Sequence, residues 1–250
     1  MKDNILEVTD LSKIYHSEDN ELLALKNISF NVKQDEFISI VGPSGCGKST
    51  ILSIIANMIE KSSGEITFNT NKPGIGYMLQ EDSLFSWRTI LNNACLGLEI
   101  KNELNEKTKS NVIKLLKKYG LEDFIESYPN SLSGGLKQRV ALIRTLAINP
   151  DILLLDEPFS ALDYQTRLTL SDDLKHIITN EKKAVIMVTH DIAEAISMSD
   201  KVIILTNRPS TIKDIINIKL DKPSTPTENR KDKNFTKYYE IIWKELDHHV

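Results

Sequence analysis

The sequence predicts an α/β fold, a mainly parallel sheet covered by helices, preceded by a β-rich first third. Three observations predict it. Beyond Pro129, short strands that are apolar on both faces alternate with segments of helical periodicity. In the first third, Ile28, Phe30 and Val32 alternate with Asn27, Ser29 and Asn31, the period-two mark of a half-buried strand. Between these regions the strand Glu36–Val41 runs straight into a glycine-rich turn, after which Ile51, Leu52, Ile55 and Ile59 recur at helical spacing. Of the 250 residues, 40% are hydrophobic and 26% charged, enough apolar surface for a packed core and too much for wholesale disorder.

The later elements follow in order. From Asn105 to Tyr119 the side chains of Val112, Leu115, Leu116 and Tyr119 share one helix face, and Gly120 suits the residue just past the helix end. A helix is expected from about Gly134 to Ile148, with Val140, Ile143, Leu146 and Ala147 inward. A strand follows at Ile152–Leu155, a helix near Arg167–Thr179 and a strand at Ala184–Thr189. Asp191-Ile192-Ala193-Glu194 reads as a capping box opening a short helix, and Val202–Leu205 as a further strand. Lys222–Thr227 is a linker, and Phe235, Tyr239, Ile242 and Leu246 form one stripe of a terminal helix. There is no internal repeat and no low-complexity tract.

Composition excludes several classes. Lys plus Arg number 31 and Asp plus Glu 35, a net charge of −4, unlike a chain that neutralises bulk nucleic acid. Two cysteines, Cys46 and Cys95, make no disulfide framework and suit a reducing compartment. The acids within Met1–Glu7 do not fit a signal peptide, and no apolar run approaches the ~20 residues of a membrane span.

Gly42-Pro43-Ser44-Gly45-Cys46-Gly47-Lys48-Ser49 fits G-x-x-x-x-G-K-[ST] between a predicted strand and a predicted helix. In such a loop, backbone N–H groups close around phosphates and the helix N-terminus adds positive potential. Lys48 pairs the phosphate oxygens and Ser49 ligates Mg²⁺. Ile152–Glu157 is a buried strand ending in two acids, where α/β sheets bind ligands. Asp156 suits the Mg²⁺ shell and Glu157 the base that polarises an attacking water. Ser133 can cap a second helix whose Gly134 and Gly135 leave N–H groups bare for an anion, although a plain capped helix explains the same residues. His190 ends a strand on the same sheet edge as Asp156, where it could bond a phosphate or be a satisfied strand-end histidine. Gln80 ends Gly76-Tyr77-Met78-Leu79, and Tyr15 could stack on a base or simply pack.

Taken together, these motifs resemble the ATP-binding subunit of an ABC transporter. In order they are Tyr15 (A-loop), Gly42–Thr50 (Walker A), Gln80 (Q-loop), Leu132–Leu136 (signature), Ile152–Glu157 (Walker B), Ser160–Asp163 (D-loop) and His190 (H-loop). Leu136 departs from the glutamine found in many members. The resemblance implies a P-loop NTPase core with an N-terminal antiparallel β subdomain and an inserted α-helical subdomain at about 81–135. Residues 1–221 would form the ATPase domain, and 222–250 a linker and short helix. It implies ATP bound with Mg²⁺, and Glu157, His190 and Gln80 in catalysis, Gln80 also reaching the metal. It implies binding by Tyr15, Gly42, Pro43, Ser44, Gly45, Cys46, Gly47, Lys48, Ser49 and Thr50, with Ser133, Gly134 and Gly135 completing the site from the other copy of a homodimer. An integral membrane permease and, through it, an extracytoplasmic solute-binding protein are the implied partners, at the cytoplasmic face of the cell membrane. Nucleic acid is not among them.

Gln80–Thr89, Asn92-Asn93, Gly97-Leu98-Glu99 and Asn207-Arg208-Pro209 are similar to the subgroup importing nitrate, sulfonates, taurine or thiamin-precursor pyrimidines. These are expected at surface and linker positions, with Leu84, Phe85 and Trp87 either in the helical subdomain's core or on a docking surface. A soluble ABC ATPase outside transport is the alternative. A small-molecule kinase would have no use for Ser133-Gly134-Gly135, and a non-hydrolysing scaffold would need neither Glu157 nor His190.

Overall fold

The computed structural model describes residues 3–16, 20–69, 73–160 and 162–247. Ala161 of the Ser160–Asp163 segment, Met1 and Lys2 of the amino-terminal reading and the last three residues of the tail lie outside the described residues.

Strands β1 (Asn4–His16), β2 (Glu21–Lys33) and, after the phosphate-loop region, β4 (Ser63–Phe68) form an antiparallel sheet in the order β2-β1-β4. The alternation seen in the sequence sends Ile28, Phe30 and Val32 inward. The second sheet contains β3 (Phe37–Val41), β5 (Ile75–Met78), β6 (Ile152–Asp156), β7 (Ala184–Val188), β8 (Lys201–Leu205) and β9 (Ile212–Asn217). Its order is β5-β6-β7-β3-β8-β9, parallel throughout except for β9 against β8. Every residue of β3, β6, β7 and β8 is buried, as expected of strands covered on both faces. Register places the site: Ile40 and Asp156 both pair with Val188, so β3, β6 and β7 release their chains at one edge.

Helix α1 (Lys48–Ile55) is shorter than the apolar spacing suggested. Asn57 takes a left-handed backbone (φ 57°) and ends the helical run, leaving Ile59 packed but outside it. Helices α2 (Ile90–Ile100), α3 (Glu106–Lys118) and α4 (Gly134–Ala147) share a core that includes Leu98, Val112, Leu116, Leu142 and Ile143. Asn105 and Thr108 cap α3 reciprocally, and Gly120 takes the expected left-handed position beyond it (φ 73°). Helix α5 (Tyr164–Glu181) begins three residues before Arg167, because Asp163 accepts the Thr166 N–H at 3.1 Å. The capping box expected over Asp191–Glu194 is half present. Asp191 accepts the Glu194 N–H at 3.0 Å and caps α6 (Ile192–Met198), but the Glu194 carboxylate turns into the core and takes the Thr189 hydroxyl at 2.7 Å. The segment read as a linker carries a helical turn, α7 (Pro226–Asn229), before the terminal helix α8 (Phe235–Asp247). On α8, Ile242 is fully buried and Phe235, Tyr239 and Leu246 pack beside it, as the stripe predicted. Among the described residues no helix is long and apolar enough to cross a membrane.

Not all of the segment 80–99 is surface. Leu84 packs against the helical core, whereas Trp87 is 72% exposed and stands 4.8 Å from the Phe85 ring. Asn93 is fully buried. Its Oδ1 accepts the Phe85 N–H at 2.8 Å, and its Nδ2 donates to the carbonyls of Phe85, Arg88 and Thr89, each at 3.0 Å. One side chain thus holds the loop carrying Phe85 and Trp87 onto α2. Asn93→Ala is expected to destabilise the fold by about 1–3 kcal/mol, because it orphans these backbone groups. The thermal midpoint should fall by about 2–4 °C for each kcal/mol, and tryptic cleavage after Arg88 should accelerate. An unchanged midpoint would show that the loop holds without the clamp.

Candidate active site

The loop between β3 and α1 needs left-handed backbone twice, and glycine supplies it at Gly45 (φ 72°) and Gly47 (φ 109°). A Cβ on Gly47 would also lie 2.8 Å from Leu25 Cδ2. No side chain caps α1, so its first N–H groups remain available to an anion. Lys48 is buried and folded back onto its own loop, donating to the carbonyls of Gly42 at 2.9 Å and Pro43 at 3.0 Å. Ser44, Gly45, Gly47, Lys48, Ser49 and Thr50 line a cavity of about 550 Å³, and Glu157 and His190 close it from β6 and β7.

Asp156, the last residue of β6, is tied to this cavity through the lining residue Ser49. Ser49 Oγ donates to its Oδ1 at 2.9 Å and the Tyr77 hydroxyl to its Oδ2 at 3.2 Å. Burial raises the Asp156 pKa, against the two hydrogen bonds that lower it. Burial, followed by the Asp156 charge, pushes Tyr77 up to about 12 although a Ser53 bond opposes it, so Tyr77 remains a donor. After Asp156 the chain turns sharply: Glu157 has φ 45° and gives its N–H to Val188 O at 2.9 Å. This strained turn brings Glu157 Oε2 to 3.1 Å from His190 Nδ1.

The hard oxygens of Ser49 and Asp156 suit Mg²⁺, which binds through one or two protein oxygens together with phosphate and water. Among the described residues no cluster of three or more His, Cys, Asp or Glu could hold an ion alone.

The remaining residues singled out in the sequence are placed as follows. Tyr15 touches the rim, its hydroxyl 3.3 Å from Thr50 Oγ1 and its ring under Lys13 Nζ at 4.9 Å. Cys46 is buried, its thiol pKa raised by burial, so only its backbone can serve a ligand. Gln80 Nε2 donates to Ser160 Oγ at 3.1 Å. Ser133 caps α4, accepting the Leu136 N–H at 3.4 Å. Ser133, Gly134 and Gly135 do not line the cavity; Cβ atoms on the two glycines would meet Leu162 at 3.3 Å and Thr166 at 3.0 Å. A single chain therefore presents the phosphate loop and the second anion-type helix start separately.

Sequence reading missed Tyr77, whose signal was a polar tip inside an apolar strand. It missed Ser160 as the partner of Gln80. Arg208, quoted from the sequence only for its subgroup resemblance, has a guanidinium that would stand 3.1 Å from a Cβ on Gly45.

Residues 25–160 match the ABC transporter family. The chain is 44% identical over 250 residues to the uncharacterised ABC transporter ATP-binding protein YtlC of Bacillus subtilis strain 168, covering 98% of this chain and 96% of the relative. It is 37% identical over 247 residues to the nitrate import ATP-binding protein NrtD of Synechocystis sp., covering 95% and 93%. The dimeric structure of the bacterial ABC transporter cassette MJ0796 matches with a TM-score of 0.73 at 32% identity, over 86% of this chain and 99% of that one.

The raised pKa of Asp156 has a consequence for stability. A carboxyl whose pKa rises on folding leaves the fold unpenalised below the ordinary aspartate range, costs stability as pH climbs from there, and carries its full cost above the raised value. Asp156→Asn keeps an acceptor for Ser49 and a partner for Tyr77 while removing the charge. Near neutral pH the nucleotide-free variant should melt higher, by about 2–4 °C for each kcal/mol relieved, and the gain should vanish in acid. Mg²⁺-dependent nucleotide turnover should be lost. A lower midpoint at neutral pH would show that the charge stabilises the empty fold.

Proposed function

The chain belongs to the ABC transporter family and is an ATPase of that family, and from that premise we propose that it is the motor subunit of a prokaryotic importer, coupling ATP binding and hydrolysis to solute uptake through a separate permease. The observation that carries the hydrolytic reading is Glu157. A left-handed turn holds its carboxylate at the cavity wall within 3.1 Å of His190.

The chemistry is assigned residue by residue. Lys48 exchanges the carbonyls of Gly42 and Pro43 for phosphate oxygens, aided by the loop N–H groups and the uncapped start of α1. Ser49 and Asp156 would hold Mg²⁺, which would neutralise charge on the phosphates. Glu157 orients the attacking water and accepts its proton, while His190 fixes the carboxylate and bonds the terminal phosphate. Tyr15 stacks on the base at the rim. Gln80 leaves Ser160 and reaches the water or metal when the 81–135 helical part swings toward the core. The separation of Ser133-Gly134-Gly135 from the cavity supports a head-to-tail homodimer in which that segment completes the partner's site.

The exposed Trp87, beside Phe85 and seven residues beyond Gln80, supports a permease-docking surface on the same part. The solute class we propose is nitrate, a sulfonate, taurine or a thiamin-precursor pyrimidine, delivered by a solute-binding protein, with this subunit at the cytoplasmic face of the membrane. Residues 1–221 carry the ATPase and 222–250 are appended to it.

Glu157→Gln should retain ATP affinity, lose turnover by about 10²-fold or more and accumulate as an ATP-bound dimer in size-exclusion chromatography. Lys48→Ala should instead lose nucleotide binding. Normal turnover by the Glu157→Gln protein refutes the assignment. In vesicles containing the permease and the loaded binding protein, Trp87→Glu should abolish stimulated hydrolysis and uptake while basal hydrolysis persists. Unchanged uptake would place the docking surface elsewhere.

A further inference from the structure

The segment Asn207-Arg208-Pro209 joins β8 to β9 and has no role in the chemistry assigned above. It is nonetheless built against the phosphate loop. Ser210 is fully buried, gives its N–H to Ala24 O at 2.9 Å and takes the Lys26 N–H at 2.8 Å, which pins the turn to β2. Ser210 Oγ donates to Thr206 O at 3.2 Å, and Thr206 Oγ1 accepts the Thr211 N–H at 2.9 Å, closing the turn on itself. The same stretch of chain walls the phosphate loop. A Cβ on Gly42 would stand 3.0 Å from Leu205 Cβ, and one on Gly45 would stand 3.1 Å from Arg208 Nη2 and 3.9 Å from its Cζ. A turn held this firmly lays one guanidinium against Gly45, a residue that lines the cavity.

That guanidinium is available to a ligand. Arg208 is exposed, and among the described residues it makes no hydrogen bond or ion pair. A guanidinium presents several N–H donors in a planar fork that matches phosphate oxygens. The cavity also needs positive charge. Its wall holds the lysine Lys48 and the acid Glu157, and Asp156 adds a second carboxylate through its bond to Ser49. A polyphosphate brought there meets two acids and one lysine, and an added cation at the rim favours its entry and retention.

We propose that Arg208 is a second nucleotide-binding cation: from its place against Gly45 the guanidinium turns to the phosphate oxygens of the bound nucleotide and complements Lys48. The inference rests on the reading of the cavity as the ATP site. It gives a task in binding to a segment that the sequence marked only by a subgroup resemblance.

The test is equilibrium binding to the full chain, read with a fluorescent ATP analogue displaced by ATP, ADP or adenosine in the presence of Mg²⁺. Arg208→Gln should weaken ATP and ADP about threefold to tenfold at low salt, the size expected of one partly solvated charge contact, and should leave adenosine within about twofold. The deficit should shrink below about twofold in about 0.5 M salt, where such a contact is screened. Arg208→Lys, which keeps the charge, should recover most of the loss. A second measurement needs no variant. Modification of Arg208 by phenylglyoxal, followed by peptide mass spectrometry, should be slowed by ADP and by pyrophosphate but not by adenosine. Wild-type affinity in Arg208→Gln, an equal loss for adenosine, or modification that ADP does not slow would overturn the proposal. Protection by ATP alone, and only where the chain dimerises, would assign Arg208 to a contact between copies and overturn it as well. Lys48→Ala separates the premise: normal ATP binding there removes the cavity as the nucleotide site and the proposal with it, whereas lost binding in Lys48→Ala beside wild-type affinity in Arg208→Gln refutes the role of Arg208 alone.

Discussion

The carboxylate of Asp156 is the point on which the site depends. It closes β6, accepts Ser49 from the first turn of α1 and accepts Tyr77 from β5. Three elements far apart in sequence are tied through one buried acid, and two directed donors stabilise its charged form against the cost of burial. Moving any of the three would misplace the oxygens that a hard cation needs. A site of this kind trades stability of the empty protein for readiness to bind, as is common where carboxylates are buried for chemistry.

The sheet makes this meeting possible. Parallel neighbours β7, β3 and β6 are in register, so the glycine loop, the Asp156–Glu157 pair and His190 emerge from the same edge. The turns leaving that edge are tight, and two take left-handed backbone, at Gly45 in the loop and at Glu157. Glycine adopts that conformation freely; glutamate does not, and it is held there by its N–H bond to Val188 and the contact with His190. Strain of this kind is tolerated where neighbouring strands over-determine the chain.

The helical part is organised differently. Helices α2, α3 and α4 share one apolar core with Met78, Leu153, Leu155, Val185 and Met187 of the sheet, and directed polar contacts lie beside it. Gln80 bonds Ser160, Gln138 Nε2 reaches Gln80 O at 3.3 Å, and Arg144 donates to the carbonyls of Asp82 and Ser83 at 2.7 and 2.8 Å. Contacts of this directed kind can exchange partners more readily than the apolar core beside them.

Much of this was legible in the sequence, because the signals were local. Alternation revealed β2, doubly apolar runs revealed β6 and β7, and glycine spacing followed by Lys48-Ser49 identified the phosphate loop. These depend on backbone sterics and on burial of neighbouring residues, which a short window contains. Other features depended on partners distant in the chain. Glu194 had the spacing of a capping residue, but the Thr189 hydroxyl and the Arg167 guanidinium drew it into the core. Asn93 looked like a surface amide, yet it became a buried clamp because the Phe85–Thr89 backbone needed donors and an acceptor. Tyr77 gained its role only when β5 was laid beside β6. The sequence by itself determined which chemistry the chain carries; the tertiary structure decided which groups face one another, because hydrogen bonds and counter-charges act across space and buried groups must find partners wherever the fold brings them.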